Sequence, residues 1–252
     1  MKTLLRMFFG TFLFTLFSLS VPAQEFKWET KSDEARGLAK QGMKHLVNVE
    51  LEMAYDKFQE ALELDPDFTA AQVCIGVLSF GAKKAEWAAK AKQSSANKSA
   101  GEKLFASLLE AKDDRGRHEI WKKLMAMYPK EPFVEFSLHS SDPDSVRSLS
   151  NLLAFTKKYP DRPEAYNILG YLYLNKKDQT TARTYFERYI QLYPAGYNPY
   201  DSMGEFYFLT GDMENSRKFY TMALERYPFC VSSLRKMEEL KKAEDVASTN
   251  PK

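Results

Sequence analysis

Residues 163–230 state one pattern twice. Tyr166, Leu169, Gly170, Tyr173, Ala182, Phe186 and Pro194 are matched by Tyr200, Met203, Gly204, Tyr207, Ser216, Tyr220 and Pro228, and every offset is 34 residues. A fixed period of this length points to a stacked array, in which each unit buries its apolar face only against its neighbours. No other feature of the chain restricts its fold as strongly.

The spacing inside a unit is helical. Tyr166, Leu169 and Tyr173 lie three and four apart, so they share one face of a first helix. Ala182 and Phe186 are four apart on a second helix and form a small–large pair that packs back. Gly170 falls where that second helix must approach closely, and Pro194 ends it. Asp178 and Asp212 are placed to cap the second helices, and Gly211 supplies a permissive turn. Helical spacing accounts for the aromatic stripe as core packing, without a cofactor.

The order aromatic-x2-Leu-Gly-x2-Tyr, then Ala-x3-Phe, then Pro resembles the tetratricopeptide repeat. That resemblance implies an all-α fold, a right-handed superhelical solenoid of about six helical hairpins plus a C-terminal capping helix. The pattern departs at Tyr189, where the family usually has Ala and where Ala223 is the regular form one unit later. A bulky Tyr there predicts wider local helix spacing.

The rest of the chain extends the array. Residues 24–34 form a lead-in. The first unit spans 35–68, with Leu38, Gly42, Ala54, Phe58, Ala61 and Pro66 at the same places in the period; His45 stands where Tyr173 does. The second, 69–97, carries Ile75-Gly76 in the Leu-Gly place and a second helix from about Ala82 to Lys92. The third, 98–129, is irregular and opens on Ser99-Ala100-Gly101-Glu102, which resembles a capping box. Asp142-Pro143 starts the second helix of the fourth, 130–162, with Pro at the first helical position. Units 163–196 and 197–230 follow, then a cap helix over 231–247 with Leu234 and Met237 turned inward, and a tail over 248–252. No segment signals a strand.

Residues 1–23 read as a secretory signal peptide. Lys2 and Arg6 make a basic end, Met7–Leu19 is an apolar run, and Val21-Pro22-Ala23 is a small-residue cleavage site. The alternative is a membrane anchor, but the run is short for a span and is broken by Thr11, Thr15, Ser18 and Ser20. This predicts an exported chain, periplasmic or secreted, with no membrane insertion after cleavage. The whole sequence has 36 basic and 34 acidic residues; Lys2 and Arg6 fall in the leader with no acid, so the remainder balances at 34 to 34. Neutrality without like-charge blocks argues against a nucleic-acid partner.

No catalytic constellation stands out, and no metal or cofactor is expected. The three histidines, His45, His118 and His139, are read as packing or helix-end residues, none with a partner at the spacing that metal sites use. There is no nucleophile elbow, phosphate loop or dinucleotide fingerprint. Cys74 and Cys230 are the only cysteines; they fall in units several stacking steps apart, which predicts two free, buried thiols rather than a disulfide.

The concave face is the remaining candidate site. The resemblance implies that first helices line it, which places Asn167 and Tyr171, then Asn198, Asp201, Glu205 and Phe208 there as partner-binding residues. Family members that clamp a terminal carboxylate use Lys and Asn in the places of Asn167 and Tyr171, so this groove suits a polar or basic segment better than an acidic tail. The function expected is a non-enzymatic scaffold for a protein or peptide partner. The alternatives are an assembly subunit of an envelope complex and an accessory to a separately encoded hydrolase.

Overall fold

The computed structural model describes residues 26–249; the leader expected over residues 1–23 lies outside this range. Among the described residues there are thirteen α-helices, one 3-10 turn and no strand. The helices are α1 (Asp33–Val47), α2 (Leu51–Leu64), α3 (Thr69–Val77), α4 (Gly81–Ser95), α5 (Ala100–Ala106), α6 (Asp114–Met127), α7 (Pro132–Ser140), α8 (Ser145–Lys158), α9 (Glu164–Asn175), α10 (Gln179–Leu192), α11 (Asn198–Thr210), α12 (Met213–Arg226) and α13 (Val231–Thr249). The 3-10 turn, Ser107–Glu110, prolongs α5. Consecutive helices pack antiparallel as hairpins, and each hairpin stacks on the next. The chain is an all-α superhelical solenoid, and none of its described helices is long and apolar enough to cross a membrane.

The hairpins owe their spacing to glycine facing an aromatic ring. A Cβ added at Gly170 would lie 2.5 Å from the Phe186 ring, and one at Gly204 would lie 2.8 Å from Tyr220. Gly42 meets Phe58 in the same way in the first hairpin. The rings involved are fully buried, so they have nowhere to retreat. Asp178 and Asp212 accept the amides of Thr181 and Asn215, closing the N-termini of α10 and α12. Gly211 ends α11 in the left-handed conformation, φ +89°.

Three local expectations are corrected. The N-cap of α8 is Asp144, which accepts from Val146 and Arg147; Asp142 instead pairs with the Arg147 guanidinium, and Pro143 precedes the cap. In α13 the inward residues are Ser233 and Leu240, while Leu234 is 44% exposed. The inward face of this helix joins a hydrogen bond from Ser233 to Asp201 with the buried Leu240. Glu135 and His139 do stand i,i+4 on α7, 3.8 Å apart, but Glu135 is held more closely by Lys158 and burial lowers the imidazole pKa. Among the described residues no three potential ligands cluster around a metal position. Both cysteines are free and buried.

The lead-in is part of the fold. Residues 26–32 run without helix past the first, third and fourth units, and charged side chains grip their backbone. Glu131, Glu102 and Asp65 accept the amides of Phe26, Glu29 and Lys31. Arg36 donates to the carbonyls of Trp28 and Thr30, and Lys98 to that of Glu29. Phe26 and Trp28 fill a core of Phe68, Phe105, Tyr128 and Phe133. The capping box of α5 is accordingly only half formed. Ser99 accepts from the Glu102 amide, but the Glu102 carboxylate turns to the strap, and the Ser99 amide goes to Glu29.

Glu102 is fully buried, and burial raises its carboxyl pKa from 4.5 to about 7; the Glu29 amide and Lys98 oppose the shift. A carboxyl raised on folding binds more protons folded than unfolded between those two values. Its contribution to stability is full below about 4.5 and is lost as pH rises through about 7. Melting temperatures of the native chain should therefore fall across this window relative to Glu102→Gln, and the two curves should run parallel below it. Parallel curves throughout would show that Glu102 does not titrate in this window.

Candidate functional site

The first hairpin does not face only its neighbour. Its turn, Asn48–Glu50, reaches across the concave side and docks where α10 passes into α11. Glu50 is fully buried there. One carboxylate oxygen accepts the Tyr197 amide at 2.7 Å and the Asn198 amide at 3.4 Å. The other accepts the Tyr193 hydroxyl at 2.7 Å and lies 2.6 Å from His45 Nδ1. Tyr197 caps α11 and Pro199 has no N–H, so Glu50 takes the first donors that this helix terminus offers. The Tyr189 hydroxyl donates to the Asn48 carbonyl, and that of Tyr197 to Glu52.

Two backbone features follow from this docking. Val49 holds φ +62°, a conformation costly for a β-branched residue, and it persists because the residues on both sides are fixed. Gly196 lies under the carboxylate: a Cβ there would stand 2.6 Å from Glu50 Oε1. Tyr189, the departure from the repeat pattern, is thus a contact residue: fully buried, it bonds the first hairpin and Asn198.

Beside this contact opens a cavity of about 480 Å3. Five of the six residues expected on the concave face line it: Asn167, Tyr171, Asn198, Asp201 and Glu205. The turn of the first hairpin supplies its opposite wall through Val49, Leu51 and Glu52. Phe208 stands apart, its ring covered by the Lys236 ammonium at 4.1 Å. Asn198 is committed to Tyr189. The Asn167 side chain is 5% exposed and its Oδ1 has no hydrogen-bond partner.

The cavity is acidic. Asp201 Oδ1 accepts from Ser232 at 2.9 Å and Ser233 at 2.5 Å, with the Cys230 thiol at 3.8 Å. Burial raises the Asp201 pKa, while Ser233 and Ser232 hold it down and Glu205 adds to the rise. Tyr171 donates to Glu205 at 2.7 Å. Burial lifts the Tyr171 phenol well above its ordinary pKa, and Glu205 adds to this, so it remains a donor. Sequence reasoning found the helical wall because it recurs with the repeat. It missed Glu50, Glu52, Tyr193 and Gly196; only a glycine between Pro194 and the start of α11 hinted at a close approach there.

A tetratricopeptide repeat family model matches residues 147–197, from the start of α8 to the start of α11. No curated protein sequence matches the chain. Among solved structures, a tetratricopeptide repeat protein of Thermus thermophilus is similar at TM-score 0.50 and 14% identity, over 82% of this chain and 98% of that one. The type IV pilus biogenesis factor PilW aligns at TM-score 0.47 and 12% identity, over 82% and 99%. The PilF protein of Pseudomonas aeruginosa aligns at 0.43 and 15%, over 82% and 97%. The first of these likenesses, with the helix order and the 34-residue period, makes the fold a tetratricopeptide-like solenoid.

Removing the docked carboxylate should loosen the array. Glu50→Ala leaves two amides, a phenol and an imidazole without their acceptor and should cost about 3 kcal/mol in denaturant unfolding. Glu50→Gln retains an acceptor and should cost clearly less. Equal losses would mean that charge, not hydrogen bonding, holds the turn.

Proposed function

We propose that the protein is an exported, non-enzymatic scaffold that docks an extended segment of a partner protein along its inner surface. The observation that carries this reading is the lead-in strap. Side chains from the first, third and fourth units already grip the irregular backbone of Phe26, Trp28, Glu29, Thr30 and Lys31 and bury two of its aromatic rings. Recognition of an extended peptide by main-chain hydrogen bonds and alternate side-chain pockets works in the same manner. The docked turn at Glu50 is a second instance on the same array. Export rests on the leader-like residues 1–23, and the absence of a catalytic role on the lack of any nucleophile–base or metal constellation in the sequence.

Affinity capture from the native envelope fraction, with cross-linking, tests the reading. The native chain should recover a defined partner. Phe208→Ala with Glu205→Lys, both at partly exposed positions, should lose it while melting stays within a few degrees. The protein recovered from that fraction should begin at Gln24 in its intact mass. Capture of nothing beyond an unrelated control would overturn the scaffold reading, and unchanged capture by the double variant would move the binding surface off the concave face.

A further inference from the structure

The strap over residues 26–32 closes on a carboxyl that is poorly compensated for its charge. Glu102 lies on α5 one turn before Phe105, the ring against which Phe26 packs, and it is fully buried. One of its oxygens accepts the Glu29 amide of the strap at 3.2 Å; the other, Oε2, is buried without a hydrogen-bond partner. Lys98 attracts the charge without pairing with it, because its ammonium donates to the carbonyls of Glu29 and Asp67 at 3.1 and 2.8 Å. The Glu29 carboxylate, which accepts the Ser99 amide, repels it. The other titratable neighbours are the Cys74 thiol of α3 and the Tyr128 phenol that ends α6, and burial keeps both protonated. A buried carboxylate with a single hydrogen bond is costly, and the neutral carboxyl in the same place costs far less.

From this geometry we infer that the strap is a proton-controlled latch, which docks over a neutral Glu102 and loosens as that carboxyl ionises. The coupling works through water: docking strips the carboxyl of solvent, and release returns it. The docked chain therefore keeps the proton to a higher pH than the released one, about 7 when covered against the ordinary 4.5. By linkage, release is rarest below about 4.5, becomes about tenfold more frequent with each pH unit above that, and levels off beyond about 7. Acid fastens the strap and neutral pH slackens it. Release frees Asp65, Glu102 and Glu131, the acceptors that hold strap amides, and uncovers the rings of Phe68, Phe105 and Phe133. Those groups grip an extended backbone here, so the latch governs when they are open to any other segment. It requires no partner and stands or falls apart from the scaffold reading.

Amide hydrogen exchange of the full chain, corrected for the intrinsic rate at each pH, reads release at Glu29 and Lys31, whose amides donate to Glu102 and Asp65. In the native chain, protection at both should fall about tenfold per pH unit from about 5 to about 7 and then level off. In Glu102→Gln, which keeps an acceptor and cannot ionise, protection should stay flat. Interior amides of α6 should be flat in both proteins. The reciprocal effect is read at the Glu102 carboxyl carbon by nuclear magnetic resonance. It should titrate at about 7 in the native chain and at lower pH in Trp28→Ala, where the strap has lost a buried ring. Flat strap protection in the native chain, the same slope in Glu102→Gln, or an unmoved titration in Trp28→Ala would overturn the latch. A slope shared by the α6 interior would overturn it as well, since Glu102 would then titrate only against global unfolding.

Discussion

The structure depends on one buried carboxylate. A solenoid is open by construction, because each unit meets only its neighbours and nothing ties the first to the last. Here Glu50 of the first hairpin sits on the amides that open α11, 147 residues along the chain from Tyr197. Burying a carboxylate is costly, and the cost is offset only when the charge is fully hydrogen-bonded. Tyr193, Tyr197, Asn198 and His45 supply that set, and the helix terminus adds its favourable field. The strained Val49 and the bare Gly196 are the backbone consequences of bringing the two surfaces so close.

Closure changes what the concave face can do. Its helical wall alone would be a shallow surface of amides, phenols and acids. With the hairpin turn across it, that wall becomes one side of a cavity with Glu52 on the other. The strap over residues 26–32 has a related effect nearer the other end of the array, where it crosses the first, third and fourth units and supplies two aromatic rings to the core. In both cases side chains of the array hold non-helical backbone of the same chain. That behaviour is the physical basis for expecting a partner segment to be held likewise.

What was legible in the sequence was what repeats locally. Gly170 and Phe186, sixteen residues apart, recur as Gly204 and Tyr220, so helix pairing and stacking could be read from spacing. The caps at Asp178 and Asp212 were legible for the same reason. Five of the six concave residues gather at one cavity because they share a helix face, whereas Phe208 sits further along α11, under Lys236. The closure was not legible. Glu50 looks like an ordinary turn residue, and no periodicity links it to Tyr193 or Tyr197. Leu234 misled for a related reason: its neighbour Ser233 turns inward to hydrogen-bond Asp201, a residue of another unit, and Leu234 is left exposed.

Amide hydrogen exchange at Tyr197 tests closure most directly. First-turn amides have no acceptor within their own helix and exchange readily when they face solvent. In the closed array the only acceptor of the Tyr197 amide is Glu50. With the hairpin docked, this amide should be protected to nearly the same degree as the interior amides of α11. Exchange at the rate of an exposed helix start, with the interior of α11 still protected, would show that the hairpin is not docked and that the array stands open.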